Sequence, residues 1–223
     1  MKATADLTFL RRVLAREGRA VLLIRHSERY SLPVDDGTFG SEVSLTPHGL
    51  EMARAFGAML GPFRSVVFLS SPMRRCRQTA ACIAEGMGLP GAKVTPAVEI
   101  GGDNLFFASR RKVFETMRRE GAIETMTRYL VKGRAPGHNP LRSAAAKLDL
   151  WLKKSRREKL AVIVSHDSVC AEYFVGTGHA PDFSATDWVP YLGGVLLTRL
   201  PRDAWRSDWF APEADAPALA FRQ

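Results

Sequence analysis

Apolar residues along this chain fall into two alternating patterns, short unbroken runs and longer stretches spaced three and four residues apart. Val21-Leu22-Leu23-Ile24, Val66-Val67-Phe68-Leu69 and Leu160-Ala161-Val162-Ile163-Val164 are unbroken runs. Strands covered on both faces read in this way. Gly194-Val195-Leu196-Leu197-Thr198 reads as a final strand, and Val94 to Ile100 as a weaker one. Pro96 interrupts the weaker one and sends it to a sheet edge, because proline cannot donate to a ladder.

Helical stretches lie between the strands. Leu7, Leu10, Val13 and Leu14 share one face and predict a helix over 5–17, leading into a strand over 20–25. Leu50, Ala53, Phe56 and Leu60 form the next stripe, bounded by Thr46-Pro47 and Gly61-Pro62. Thr46 is placed to cap that helix, and Pro47 takes the first helical position, where a missing N–H costs nothing. Ser70-Ser71-Pro72 repeats the device ahead of a helix reaching about Gly86, and Asn139-Pro140 repeats it again. The stretch from Asn104 to Leu152 reads as helical, with breaks near Gly121 and at 133–137, and Val169 to Val175 reads as a further helix. A turn-rich loop over 31–44 contains Asp35-Asp36-Gly37, and the tail from Pro201 shows no period.

Strands alternating with helices predict an α/β fold. The expected organisation is one domain over 1–223, with a helical insertion over about 104–152. A chain of 223 residues with 46% hydrophobic and 25% charged content is ordinary for a globular protein. Its formal net charge of +9 points to anionic partners without choosing among them. Three cysteines without CxxC spacing, no signal-peptide pattern and no apolar run of membrane-spanning length set the expectation of a cytoplasmic protein with no membrane partner.

Candidate chemistry gathers where strands end. The first strand runs into Arg25-His26-Ser27-Glu28-Arg29, the second feeds a helix carrying Arg75, and the late strand ends in His166-Asp167. In open α/β sheets, ligands bind outside the carboxyl ends of strands. An imidazole between two guanidinium groups is unfavourable until an anion joins them, so the expectation is a phosphate that His26 attacks.

This set resembles the histidine phosphatase superfamily, which includes the cofactor-dependent phosphoglycerate mutases and the histidine acid phosphatases. Four blocks carry the resemblance, in the family's order across 21–175. They are Arg25-His26 after the first strand, Leu45-Thr46-Pro47-His48-Gly49 at a helix start, Ser71-Pro72-Met73-Arg74-Arg75-Cys76-Arg77-Gln78-Thr79-Ala80, and Ser165-His166 after the late strand. The resemblance implies a three-layer sandwich, a mainly parallel central sheet with helices on both faces, and His26 as the nucleophile of a phosphohistidine route, with Arg25, Arg29, Arg75 and His166 as phosphate ligands. Planar guanidinium groups suit bidentate phosphate contacts, and phosphoryl transfer needs mainly positioning and charge stabilisation. For the proton donor it offers Glu99, as in the mutase-like branch, or Asp167, as in the acid phosphatases, and Glu99 is favoured. Ser27 stands where the family carries glycine and is expected to narrow the site or reach the phosphate with its hydroxyl.

The expected activity is phosphomonoester hydrolysis of a phosphorylated small molecule, independent of metal and without a cofactor. A mutase-like phosphotransferase is the first alternative, and a non-enzymatic anion- or RNA-binding protein the second. A metal-dependent hydrolase of the His-Asp type would need further His/Asp ligands on helices. Basic residues over 110–134 read first as a solvated face and then as substrate steering, and the aromatics among them are spaced as core. Both argue against a nucleic-acid partner. His48 reads as structural or at the pocket rim, His138 and His179 as solvated.

Overall fold

The computed structural model describes residues 5–212 except 17, 33–37, 39, 64, 155–157, 181–182 and 185–187. The turn read at Asp35-Asp36-Gly37 lies outside the described residues. Strands β1 (Ala20–Arg25), β2 (Val66–Ser70), β3 (Val94–Pro96), β4 (Leu160–Ser165), β5 (Gly194–Arg199) and β6 (Trp205–Phe210) form one sheet in the order β3-β2-β4-β1-β5-β6. The first four run parallel, β5 is antiparallel to β1, and β6 is antiparallel to β5.

The helices are α1 (Leu7–Ala15), α2 (Pro47–Leu60), α3 (Arg74–Gly86), α4 (Arg110–Glu120), α5 (Ala122–Lys132), α6 (Leu141–Lys153) and α7 (Asp167–Gly176). Successive residues of a strand face opposite sides, so β1 divides its apolar run between two cores. Leu22 and Ile24 pack with α1, α2 and α3 through Leu10, Phe56 and Ile83. Val21 and Leu23 pack on the other face with α5, α6 and α7 through Tyr129, Leu148 and Tyr173. This is the three-layer α/β arrangement expected. Among the described residues no helix is long and apolar enough to cross a membrane.

Several local expectations change. Thr46 caps α2 as read, accepting from the Gly49 N–H at 2.9 Å. Ser71 does not cap α3, whose first residue follows Met73, and Asn139 does not cap α6, its side chain donating instead to the Leu105 carbonyl. Residues 104–109 precede α4 rather than joining a helix, and the weak strand shortens to 94–96 with a 3₁₀ turn over Val98–Ile100. β6 lies in the tail where no period was legible.

Helices α2 and α3 cross closely enough that a Cβ on Gly57 would sit 2.1 Å from the Ile83 carbonyl oxygen. Gly57→Ala gains helix propensity, yet this overlap with backbone outweighs the gain. A net loss of about 2 kcal/mol is expected, read as a fall in Tm of about 4–8 °C.

Candidate active site

Parallel, in-register strands bring their ends to one edge. Arg25 lies opposite Ser165 and Ser70 opposite Val164, so the residues that follow converge. The His26 N–H donates to the Ser165 carbonyl at 3.0 Å and the Ser71 N–H to that of Val164 at 2.8 Å, extending the ladders by one step. His26, Arg29, Arg75, His166 and Asp167 line the polar side of a cavity of about 840 Å³, open mouth included. Arg25 and Glu99 are not among its lining residues.

His26 is 3% exposed, and its Nδ1 lies 2.7 Å from its neighbour's carbonyl oxygen, that of Ser27. A carbonyl only accepts, so Nδ1 carries the proton and Nε2 keeps its lone pair. The His166 ring stands edge-on to that of His26, centroids 5.7 Å apart. Its Nε2 lies 2.9 Å from the Ser71 hydroxyl and its Nδ1 3.4 Å from Arg75 Nη2. An arginine can only donate, which makes Nδ1 the acceptor and Nε2–H the donor to Ser71.

Arg75, 4% exposed, donates through Nη1 to the Gly40 carbonyl at 2.7 Å. Arg25 donates to the Val189 carbonyl at 2.6 Å, stacks 4.2 Å from the Tyr191 ring centre, and reaches Asp167 at 3.5 Å. Arg29 donates to the Tyr30 carbonyl at 2.8 Å. Glu99 is half-buried on the 3₁₀ turn. Four of the residues read as phosphate ligands or nucleophile therefore share the cavity, with Arg25 bonded to Asp167 at its side.

Ser27 does not do what was expected of it. Its φ is not positive, and its fully buried hydroxyl donates to the Gly49 carbonyl at 2.7 Å, away from the cavity. Its N–H donates to Thr79 Oγ1 at 3.0 Å. The glycine that matters for close approach is Gly49, where a Cβ would lie 2.0 Å from the Glu28 carbonyl oxygen. His48 is structural, bonding Glu28 at 3.1 Å. His138 is not solvated: it packs 4.2 Å from the Tyr129 ring and edge-on to Phe107, and His179 stacks on Phe174. Sequence reasoning assigned no role to Ser71 beyond capping and missed Tyr191. The position of Ser71 at the start of the third family block was the available signal.

Burial, then His166, Arg75 and Arg25 push the His26 imidazole well below its ordinary value of 6.5. Burial and Arg75 bring His166 down to about 3. Burial alone would raise the Asp167 carboxyl, but Arg25 and His26 together hold it below the usual carboxylate range. Glu172 on α7 is pushed the other way, well up, by burial and by Asp167.

The unfolded chain thus binds more protons than the folded one as pH falls below about 6.5, and His166 costs stability from there down to about 3. Glu172 acts with opposite sign above its ordinary 4.5, so the clean quantity is a difference between variants. On going from pH 7 to pH 5, wild type should lose about 2 kcal/mol more unfolding free energy than His166→Asn. Urea unfolding at the two pH values measures this, and equal losses would refute it.

The fold and this cluster define an α/β protein with a basic, histidine-bearing pocket at the carboxyl edge of its sheet. The chain belongs to the histidine phosphatase superfamily (branch 1), whose family model matches residues 21–175. Solved structures agree on the fold at low identity. A mycobacterial glucosyl-3-phosphoglycerate phosphatase is 18% identical, with a TM-score of 0.58 over 88% of this chain and 100% of its own. A phosphoglycerate mutase from Bacillus anthracis is 11% identical, with a TM-score of 0.57 over 91% and 96%. A putative alpha-ribazole-5'-P phosphatase from Escherichia coli is 15% identical, with a TM-score of 0.55 over 86% and 95%. No curated protein sequence matches the chain.

Proposed function

We propose that this protein is a metal-independent phosphomonoesterase that works through a phosphohistidine on His26. The observation that carries the reading is the Nδ1 contact to the Ser27 carbonyl, which leaves the Nε2 lone pair for attack in a cavity that Arg75 and Arg29 also line. Because its surroundings disfavour protonation, His26 is a neutral nucleophile at neutral pH without a dedicated base. Nε2 bonds to phosphorus as the ester P–O bond breaks, and the departing oxygen takes a proton. Water then attacks the phosphohistidine and returns inorganic phosphate and neutral His26. Arg25, Arg29 and Arg75 meet the charge on the phosphoryl oxygens, the part of phosphoryl transfer where a protein contributes most.

Asp167 is the better-supported proton donor, since it lines the cavity and Glu99 does not. Its carboxylate is held down first among its partners by Arg25, 3.5 Å away. A phosphate dianion competes for that guanidinium and adds like charge beside the carboxylate. Both effects release the upward push of burial, so substrate binding itself loads the acid with a proton.

The test is hydrolysis of alkyl and nitrophenyl phosphates in excess EDTA. Activity should survive chelation, and its loss would sink the metal-independent reading. Asp167→Asn should lower kcat on alkyl phosphates by on the order of 10²-fold or more, with a much smaller loss on nitrophenyl phosphate, which needs little protonation. Glu99→Gln should stay within about threefold on both, as expected of a residue outside the reacting shell. The opposite ranking would return the role to Glu99.

A further inference from the structure

The cavity has two unlike sides. Every charged residue that lines it (counting the imidazoles as ionisable) follows a strand end closely: His26 and Arg29 come after β1, Arg75 is in the first turn of α3, and His166 and Asp167 are at the start of α7. The rest of the lining, its apolar wall, comes from α4, α5 and the loop before them through Phe107, Met117, Ile123 and Met126, together with Trp188 and with Met73, which touches Arg75 at 3.0 Å. Among the described residues lining that wall none carries a charge, and Arg110 of α4, whose guanidinium carbon lies 4.0 Å from where a Cβ on the lining Gly102 would sit, is paired with Asp103 at 3.6 Å. Asn104, the lining amide, is held to its own loop, donating one N–H to the Gly101 carbonyl at 3.0 Å and accepting from the Phe106 N–H at 2.9 Å.

Resting on the phosphatase reading, we infer that the substrate is a phosphomonoester whose leaving group is apolar, an alkyl or aryl chain that lies against Met117, Ile123 and Met126. A second phosphate or a carboxylate on the leaving group would face this wall without a cation, and leaving an ionic group unpaired against apolar surface is strongly disfavoured. Sugar hydroxyls would exchange most of their water partners for thioethers and an aliphatic side chain. An apolar chain does the reverse, removing its own surface and that of the wall from water. The three methionines among these residues are unbranched and adaptable, so the wall accepts chains of differing shape rather than one rigid outline. The basic floor and the apolar wall then divide the substrate, the first holding the phosphoryl group and the second selecting what is attached to it.

Two measurements separate this inference from the reading beneath it. Isothermal titration of wild type and of His26→Ala with methyl-, butyl-, hexyl- and octylphosphonate needs no turnover. Affinity should rise about fourfold per added methylene until the wall is covered. Met117→Gln and Ile123→Gln, both half-buried positions, should flatten that rise and leave methylphosphonate affinity within about twofold. In parallel, kcat/KM should rise with chain length for alkyl phosphates and exceed that for 3-phosphoglycerate and glucose 6-phosphate by at least about 10²-fold. A flat chain-length series in wild type overturns the inference even if every ester is hydrolysed. A rising phosphonate series with no hydrolysis above the His26→Ala level overturns the phosphatase reading and retains the apolar ligand.

Discussion

A chain carrying His26→Ala hydrolyses phosphomonoesters at least about 10⁴-fold more slowly than wild type, the scale on which removal of an enzymic nucleophile is felt. Three nearby thiol and hydroxyl groups are poorly placed to take over. The Cys76 thiol is near His166, but burial pushes it up to about 12, and it points at the Ser165 carbonyl from 3.4 Å. The Ser71 hydroxyl is engaged with His166 at 2.9 Å. Ser27 has its hydroxyl on Gly49. The same variant should fail to retain radiolabel when wild type, quenched during turnover with labelled substrate, carries phosphate that is stable to alkali and lost in acid. That signature belongs to a phosphoimidazole and not to a phosphoserine. Equal rates in the two proteins would remove His26 from the reaction altogether.

The second large effect falls on Arg75. Arg75→Lys keeps the charge and discards the planar fork, and should lower kcat by on the order of 10²-fold, with alanine costing about 10³-fold. The reason lies in how the guanidinium is held. Nη1 is fixed on the Gly40 carbonyl at 2.7 Å while Nη2 sits 3.0 Å from Met73 Sδ and 3.4 Å from His166 Nδ1. An ammonium can satisfy the carbonyl or approach the phosphoryl oxygens from one point, and cannot span both. Vanadate, which adopts the five-coordinate geometry of the reacting phosphorus, should lose affinity in step with kcat. A lysine variant with unchanged kcat and vanadate affinity would mean that only the charge matters.

The strand ends were legible because a run of apolar residues that stops at Arg25-His26 or at Ser165-His166 carries both its layer and its edge in the order of residues. What failed to show were positions whose partner is distant. Ser71 has the appearance of a helix cap, yet its hydroxyl is taken by an imidazole 95 residues away. Ser27 stands beside His26 in the chain, and tertiary contact turns it to the start of α2. β6 escaped notice because its hairpin turns through Arg202 and Asp203, both with positive φ, where Asn-Gly or a similar pair would have announced the turn. His138 looked solvated among glycine and proline, and Tyr129 and Phe107 close over it. Between Glu99 and Asp167 the family blocks favoured Glu99, and which of the two lines the cavity, Asp167 and not Glu99, is a tertiary fact that the order of residues does not carry.

The order of the sheet has a consequence for how the protein is made. β1, which ends at His26, has β4 and β5 as its two neighbours and does not touch β2. A ribosome adding roughly 5–20 residues per second delivers the first of those partners on the order of ten seconds after β1 has emerged. During that interval the strand's backbone donors and acceptors are open on both sides, the condition that invites pairing with other chains. Such distant pairing also makes for slow folding. His26 is thus among the first parts of the site to be synthesised and among the last to be held in place.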